Sequence, residues 1–402
     1  MKKILIPLFI MAVLATAIVT AQTRKDKPEK IVSFVQTEHD AQWYANQASL
    51  WEKEVQKDPK NDDAWYYWFT ATRYKLIYEF ADDDTFDKAL SAIAGKIHKE
   101  RPNSYARYVI DHCCANQLKN PAQLDDIRDN MLKAINMRPD FDDMYPAYVF
   151  YLFKQGNTEL MADILKRWYN TGGYSYSLLS YAYNCLVGTD ENAILFVAGD
   201  IETYGTLMLQ HAKGLFKDRT IISLDLLYRP EYAERICREL GIEYTPMPLS
   251  SPNREDRDRW MGNLVISISQ NTKRPVYFSS ASNPHFLRDQ LYSEGLVLKY
   301  STRRYDNLSV KRRNYESVYL TDYLYETLVP ETYTTGGYRV NLNYIPCFKS
   351  LLDFYKAQGM TTEYNRLRNL MLHIVDTYRE KGESVTQRKE ETLKYYYNEI
   401  DR

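Results

Sequence analysis

The chain has 402 residues, is 45% hydrophobic and 26% charged, and carries a formal net charge of −1. That length supports two or three domains with sizeable cores, and the near-neutral balance excludes a general electrostatic pull toward nucleic acid. Its 36 tyrosines suit helix packing, wet interfaces and sugar stacking equally, because the ring is apolar and the tip polar.

At the N-terminus, Lys2 and Lys3 precede an apolar run from Ile4 to Val19, and Val19-Thr20-Ala21 offers small residues at a cleavage position. The pattern predicts a secretory signal peptide over 1–21, cut after Ala21, with a retained signal anchor as the alternative. No Cys lies near the cut, so a lipid anchor is not expected there. No later run is apolar and long enough to span a bilayer. The mature chain is therefore expected outside the cytoplasm, without a transmembrane segment. The cysteines (Cys113, Cys114, Cys185, Cys237 and Cys347) are odd in number and scattered, which argues against a disulfide framework. Neighbours such as Cys113 and Cys114 point about 100° apart on a helix and cannot share one metal with His112, so buried helical thiols are the better reading.

From 36 to 187 three prolines carry a regularity. Asp58-Pro59 precedes Trp65, Arg101-Pro102 precedes Tyr108, and Arg138-Pro139 precedes Tyr145, each step being six residues. The prolines stand 43 and 37 residues apart. Before each lies a stripe at helical spacing: Tyr44, Ala48, Trp51, Val55; then Phe86, Leu90, Ile93, Ile97; then Leu124, Ile127, Met131, Ile135. Proline stops the first helix, because the residue before it avoids the α region, and an aromatic helix follows. Helix, proline turn, helix at this period describes stacked antiparallel pairs. The array resembles tetratricopeptide repeats in a loose form, Asp58-Pro59-Lys60-Asn61-Asp62-Asp63-Ala64-Trp65 being the closest junction. Its spacing exceeds that family's period of about 34, which implies insertions. The resemblance implies a concave groove for a protein partner; a stack that only supports its neighbour is the alternative.

Beyond Gly188 the period changes, and 188–301 reads as a small Rossmann-like parallel α/β module. Ala193–Val197, Thr220–Leu227 and Arg274–Ser279 are expected strands, with Leu296–Tyr300 as a possible fourth. Helices are expected over Ile201–Phe216, from Pro230 to about Leu240, and from a Ser251-Pro252 cap through Ile268. Alternating strands and helices imply parallel pairing. The remainder, 302–402, is helical again, with a pair over Tyr344–Lys356 and Thr362–Arg379 around Gly359. The fold class is thus α/β plus all-α.

In an open parallel sheet, ligands sit beyond the carboxyl ends of the strands. Those ends and their loops supply Asp200, Glu202, Thr203, Tyr204, Asp225, Arg229, Ser279, Ser280, Asn283 and His285 as candidate ligand-binding residues. Carboxylates, a guanidinium, hydroxyls and an imidazole on one rim would grip a polyol or glycan. Each also has a structural role open to it: Asp200 as a helix cap, Asp225 as a cap or a partner of Arg229, His285 as a loop hydrogen-bonder. Asp200 and Asp225 would be acid and base if the chain were a carbohydrate-active enzyme, a role that needs a defined carboxyl separation. Phosphate is disfavoured, since no glycine-rich loop is present and Asp200 and Glu202 would repel an anion. No cofactor is implied, and the six histidines lack metal-ligand spacing. The basic cluster Arg303, Arg304, Lys311, Arg312 and Arg313 could meet an acidic partner or headgroups, a solvated face being commoner.

Gly199-Asp200-Ile201-Glu202-Thr203-Tyr204, Asp218-Arg219-Thr220 through Leu227, Lys273-Arg274-Pro275-Val276-Tyr277-Phe278 and Tyr292–Tyr300 together resemble the soluble C-terminal region of the DUF2723 family. Those are bacterial membrane proteins related to protein O-mannosyltransferases. Their membrane region is absent here, so the resemblance implies a shared accessory module and not a shared transferase activity. With the helical repeats and many tyrosines, the chain looks similar to exported repeat proteins of Bacteroidetes-type bacteria, which implies a Gram-negative periplasm. The expectation is a binding or scaffold protein whose repeats take a protein partner and whose α/β module takes a glycan or a membrane glycosyltransferase. A carbohydrate-active enzyme and a purely structural envelope component are the alternatives.

Overall fold

The computed structural model describes residues 27–114, 121–247, 253–282, 284–382 and 387–402. The expected signal peptide, Ser251-Pro252 and Asn283 lie outside the described residues. Among those described, no helix is long and apolar enough to cross a membrane. The chain forms two compact units. One holds the described residues up to Val32 and those of His39–Arg138, and the other holds Ser33–Glu38 with the described residues of Pro139–Arg402. The segment 36–187 is therefore divided between the units at Arg138.

The first unit is built from helices α1 (Ala41–Lys57), α2 (Asp62–Tyr78), α3 (Asp83–Glu100), α4 (Tyr105–Cys113) and α5 (Pro121–Met137). The side chains of Asp40, Asn61, Asp82 and Ser104 accept a backbone N–H at the starts of α1 to α4, satisfying donors that have no partner within the helix. Buried Tyr44 and Val55 of α1 and Leu90, Ile93 and Ile97 of α3 hold the stripes to the core. Successive helices pack as pairs, α1 on α2 and α4 on α5. The proline-to-aromatic step has a hydrogen-bond origin. Trp65 Nε1 donates to the Pro59 carbonyl at 3.0 Å, and in the second unit Tyr145 Oη donates to the Pro139 carbonyl at 2.7 Å. At the middle turn Arg107 reaches the Pro102 carbonyl instead, at 3.0 Å. Six residues is the distance at which the first turn of the next helix brings a polar-tipped ring back over the turn.

The Arg-Pro junctions are tied to one place. Arg101 forks onto Asp62 at 2.6 and 3.2 Å, and Arg138 reaches Asp63 at 2.7 Å. The Tyr105 hydroxyl also donates to Asp63. Both acids sit in the first turn of α2, where the helix dipole favours negative charge. Tyr105 is only 2% exposed, so its hydroxyl has no ready access to water. Asp63→Ala should cost about 1–3 kcal/mol by urea denaturation, because it removes an acceptor shared by Tyr105 and Arg138. In a Tyr105→Phe background the same change should cost about 1 kcal/mol less. Strictly additive costs would contradict the coupling.

The second unit opens with helices α6 (Tyr145–Gln155), α7 (Thr158–Thr171) and α8 (Tyr176–Val187). A sheet follows, of strands β1 (Ile194–Val197), β2 (Thr220–Ser223), β3 (Val276–Ser279), β4 (Leu291–Ser293) and β5 (Val297–Tyr300) in the order β2-β1-β3-β5-β4. Helix α9 (Gly199–His211) connects β1 to β2; α10 (Leu224–Leu227), α11 (Pro230–Leu240) and α12 (Arg254–Asn271) lead to β3. Every residue of β1 is buried, as a strand covered on both faces requires. β1 pairs in parallel with β2 and β3, and Phe196 stacks on Phe278 at 4.7 Å.

The sheet is mixed, which corrects the expectation of an all-parallel module. β5 runs antiparallel to β3, and β4 antiparallel to β5. Among the described residues between β3 and β4 the regular element is a short 3-10 segment, His285–Gln290. No α-helical crossover carries the chain back to a parallel start. β4 has three residues, too short a run to announce itself by period. The β4–β5 turn uses Gly295 at φ +119°, a conformation L side chains resist.

After β5 come α13 (Asn307–Arg313), α14 (Gly336–Asn341), α15 (Tyr344–Ala357), α16 (Thr361–Lys381) and α17 (Gln387–Asp401). α15 packs on α16, and α17 packs on both. Leu351 and Tyr355 are buried, as are Leu367, Leu370 and Ile374. The strap Ser33–Glu38 is held by Gly336 N to the Val35 carbonyl at 2.8 Å and Thr335 N to the Gln36 carbonyl at 3.1 Å.

Candidate functional site

At the carboxyl end of β1 the chain turns through Gly199 at φ +71° and enters α9. Glu202, in the first turns of that helix, points back into the module and is 4% exposed. Its carboxyl accepts the Ala198 N–H at 3.1 Å, the Ser279 hydroxyl and the Tyr181 hydroxyl at 3.4 Å. Tyr181 Oη lies 3.2 Å from Ser280 Oγ and accepts Asn343 Nδ2 at 3.1 Å. Cys347 stands beside Ser280, and burial pushes its thiol up to about 11. α8, β1, β3 and α15 thus meet in one buried polar knot. α8 and α9 approach closely at Gly205, where a side-chain carbon would come within 2.8 Å of the Ala182 methyl.

Burial raises the Glu202 carboxyl to about 7, against an ordinary value of 4.5, although its three donors pull the other way. Between those values the unfolded chain has lost the proton and the folded chain keeps it. The unfolded state then binds fewer protons, so stability falls as pH rises from about 4.5 to about 7. At about 1.4 kcal/mol per pH unit, the loss reaches about 3 kcal/mol. In Glu202→Gln that part of the fall should vanish, flattening melting temperature against pH across the window. An unchanged slope would show that Glu202 is not the titrating group.

The other predicted residues separate. Ser279 and Ser280 belong to the knot. Thr203 is buried, with its hydroxyl on the Gly199 carbonyl at 2.8 Å. Tyr204 is core, edge-on to Trp168 at 5.4 Å. Asp200 and Asp225 stay exposed at the surface. Asp225 accepts the Gly199 N–H at 2.7 Å. Loss of hydration, then the Asp225 charge, raises the Asp200 pKa. Arg229 is exposed at the start of α11. Asn283 lies outside the described residues. The nine described residues do not share one rim, because Glu202, Thr203 and Tyr204 are folded inward.

His285 lies elsewhere, in a groove of about 760 Å³ beyond the carboxyl ends of β2 and β3. Its lining includes Leu224, Met261, Ile266, Pro284 and Phe286, together with Arg254, Glu255, Asp258 and Arg259 near the start of α12. Tyr228 Oη donates to Asp258 at 2.8 Å; burial, then that hydrogen bond, pushes its pKa up to about 12. Sequence reasoning missed Asp258, Asn263 and Phe286. The available signal was Gly262 inside an otherwise ordinary helix: the Phe286 ring packs beside it, its carbons at ordinary contact distance, 3.5–3.7 Å, from where a Cβ would stand.

In the first unit a second groove, of about 360 Å³, has small residues on both flanks, Ala45 and Ala48 of α1 and Ala89 and Ala92 of α3. Trp68 of α2 forms its floor, and Lys96 Nζ stands 4.9 Å from the ring centre. The basic cluster is no single patch. Lys311 is buried and donates to Ser350 Oγ at 2.8 Å, and Arg312 pairs with Glu316 at 2.8 Å. No group of three metal-binding side chains occurs among the described residues.

No family model matches the chain, and no curated protein matches it. A crystal structure of the yeast Tom70 is similar over 90% of this chain, at 8% identity and a TM-score of 0.28. This chain spans 61% of that one. A likeness at that score carries no argument about function.

Proposed function

We propose that this is an exported, periplasmic binding or scaffold protein. Its tetratricopeptide-like helical pairs engage a protein segment, and its DUF2723-like module engages a glycan or docks on a membrane glycosyltransferase. The observation that carries the reading is the groove over Trp68. Alanines on α1 and α3 keep it open along its length, and Glu52, Lys75 and Lys96 give it a polar lip. Small flanks above an aromatic floor suit an inserted apolar side chain of a partner segment, with the lip fixing its register.

Ala48→Glu and Ala92→Arg fill the groove from opposite flanks. Pull-down from an envelope fraction should recover a defined partner with the original chain and lose it with both variants, their melting temperatures being unchanged. Equal recovery by all three would overturn the reading. Export predicts a mature N-terminus at Gln22, read by N-terminal sequencing of the protein recovered from cells; an intact Met1 would contradict it.

The catalytic alternative keeps one supporting observation, the raised pKa of Asp200 beside Asp225. Against it, the Asp225 carboxyl is already engaged by the Gly199 N–H. Binding is therefore the reading favoured here.

A further inference from the structure

We propose that the groove between α12 and the loops after β2 and β3, and not the rim around Asp200 and Asp225, binds a neutral oligosaccharide. The inference rests on the glycan reading above and gives it a place and a ligand class.

Three features select that class. The first is a fixed aromatic surface. The Phe286 ring lies against the α12 backbone at Gly262, half exposed, with His285 edge-on to it at 5.6 Å. An aromatic ring beside apolar side chains suits the C–H face of a sugar. The second is a set of directional polar groups in the same lining: the Tyr228–Asp258 pair and exposed Asn263. Hydroxyls exchange hydrogen bonds readily with carboxylates and amides, and a few such groups in an otherwise apolar cleft fix orientation. The third is charge balance. Arg259 pairs with Glu255 at 2.8 Å and Arg254 lies 3.7 Å from Asp258, so the polar lining offers each sign its partner. The two arginines and two acids of these exposed pairs cancel in charge, which favours a neutral polyol over an ion of either sign. The volume, about 760 Å³, falls within the range of about 300–1,000 Å³ usual for small-molecule sites.

The rim around Asp200 lacks these features. Thr203 and Tyr204 are turned into the core and Glu202 into the knot, which leaves Asp200, Asp225 and Arg229 exposed there.

The test is calorimetric titration of the full chain with neutral trisaccharides of glucose, mannose and N-acetylglucosamine, and with trigalacturonate as the anionic comparator. At least one neutral trisaccharide should bind, and trigalacturonate should not. Phe286→Ala should weaken binding at least tenfold, and Asn263→Ala or His285→Ala at least threefold. The last two positions are exposed, so they decide the matter if Phe286→Ala disturbs folding. Neutral binding undiminished in both exposed-site variants would overturn the groove and leave the glycan reading intact, most plainly if Asp200→Ala abolished it. Binding of trigalacturonate alone would overturn the ligand class. Absence of binding by every saccharide would overturn the inference and the glycan reading together.

Discussion

One buried carboxyl organises the second unit. Glu202 leaves α9 pointing inward and collects donors from Ala198, Ser279 and Tyr181. Tyr181 carries the network on to Ser280 and Asn343. A desolvated acid is expensive unless its hydrogen bonds are made or its proton retained, and here both occur. Two consequences follow. The ends of the two central parallel strands are joined to α8 and α15, so the module and its helical flank share one core. The crevice where open α/β sheets commonly bind ligands is occupied at the end of β1 by the Glu202 knot. Accessible space remains on the α12 side.

In the first unit the organising contacts are smaller and repeated. A ring six residues past each proline, or an arginine five past it, answers the proline carbonyl. The arginines of the Arg-Pro junctions converge on the acids that open α2. Helix pairs held this way need only modest burial between neighbours, as in quasi-one-dimensional arrays. That leaves small residues free to line the groove over Trp68. The packing constraint and the open groove are two results of the same sequence pattern.

Much of this was legible beforehand. The helical stripes, the proline turns and the apolar runs at 193–197 and 274–279 survive tertiary context, whereas the expected strand Thr220–Leu227 stops at Ser223 and continues as helix α10. The antiparallel return of β5 was not legible, because strand direction depends on the connection and the three residues of β4 give no period. The site was read least well. Placing Glu202 on a rim followed from its position after a strand, but its rotamer is set by Ser279 and Tyr181, 77 and 21 residues away. Thr203 and Tyr204 failed for the related reason that α9 is buried nearly all round. The groove residues come from α12 and from two loops, and a single sequence does not show that Phe286 rests on Gly262.

The central claim is that the occupied end of β1 diverts ligand binding to the groove beside α12. Amide hydrogen exchange of the full chain, with and without a saturating neutral oligosaccharide, measures this most directly. The account predicts added protection in residues 254–266 and 284–287 and none in 198–204. Protection confined to 198–204, with the α12 segment unchanged, would contradict it.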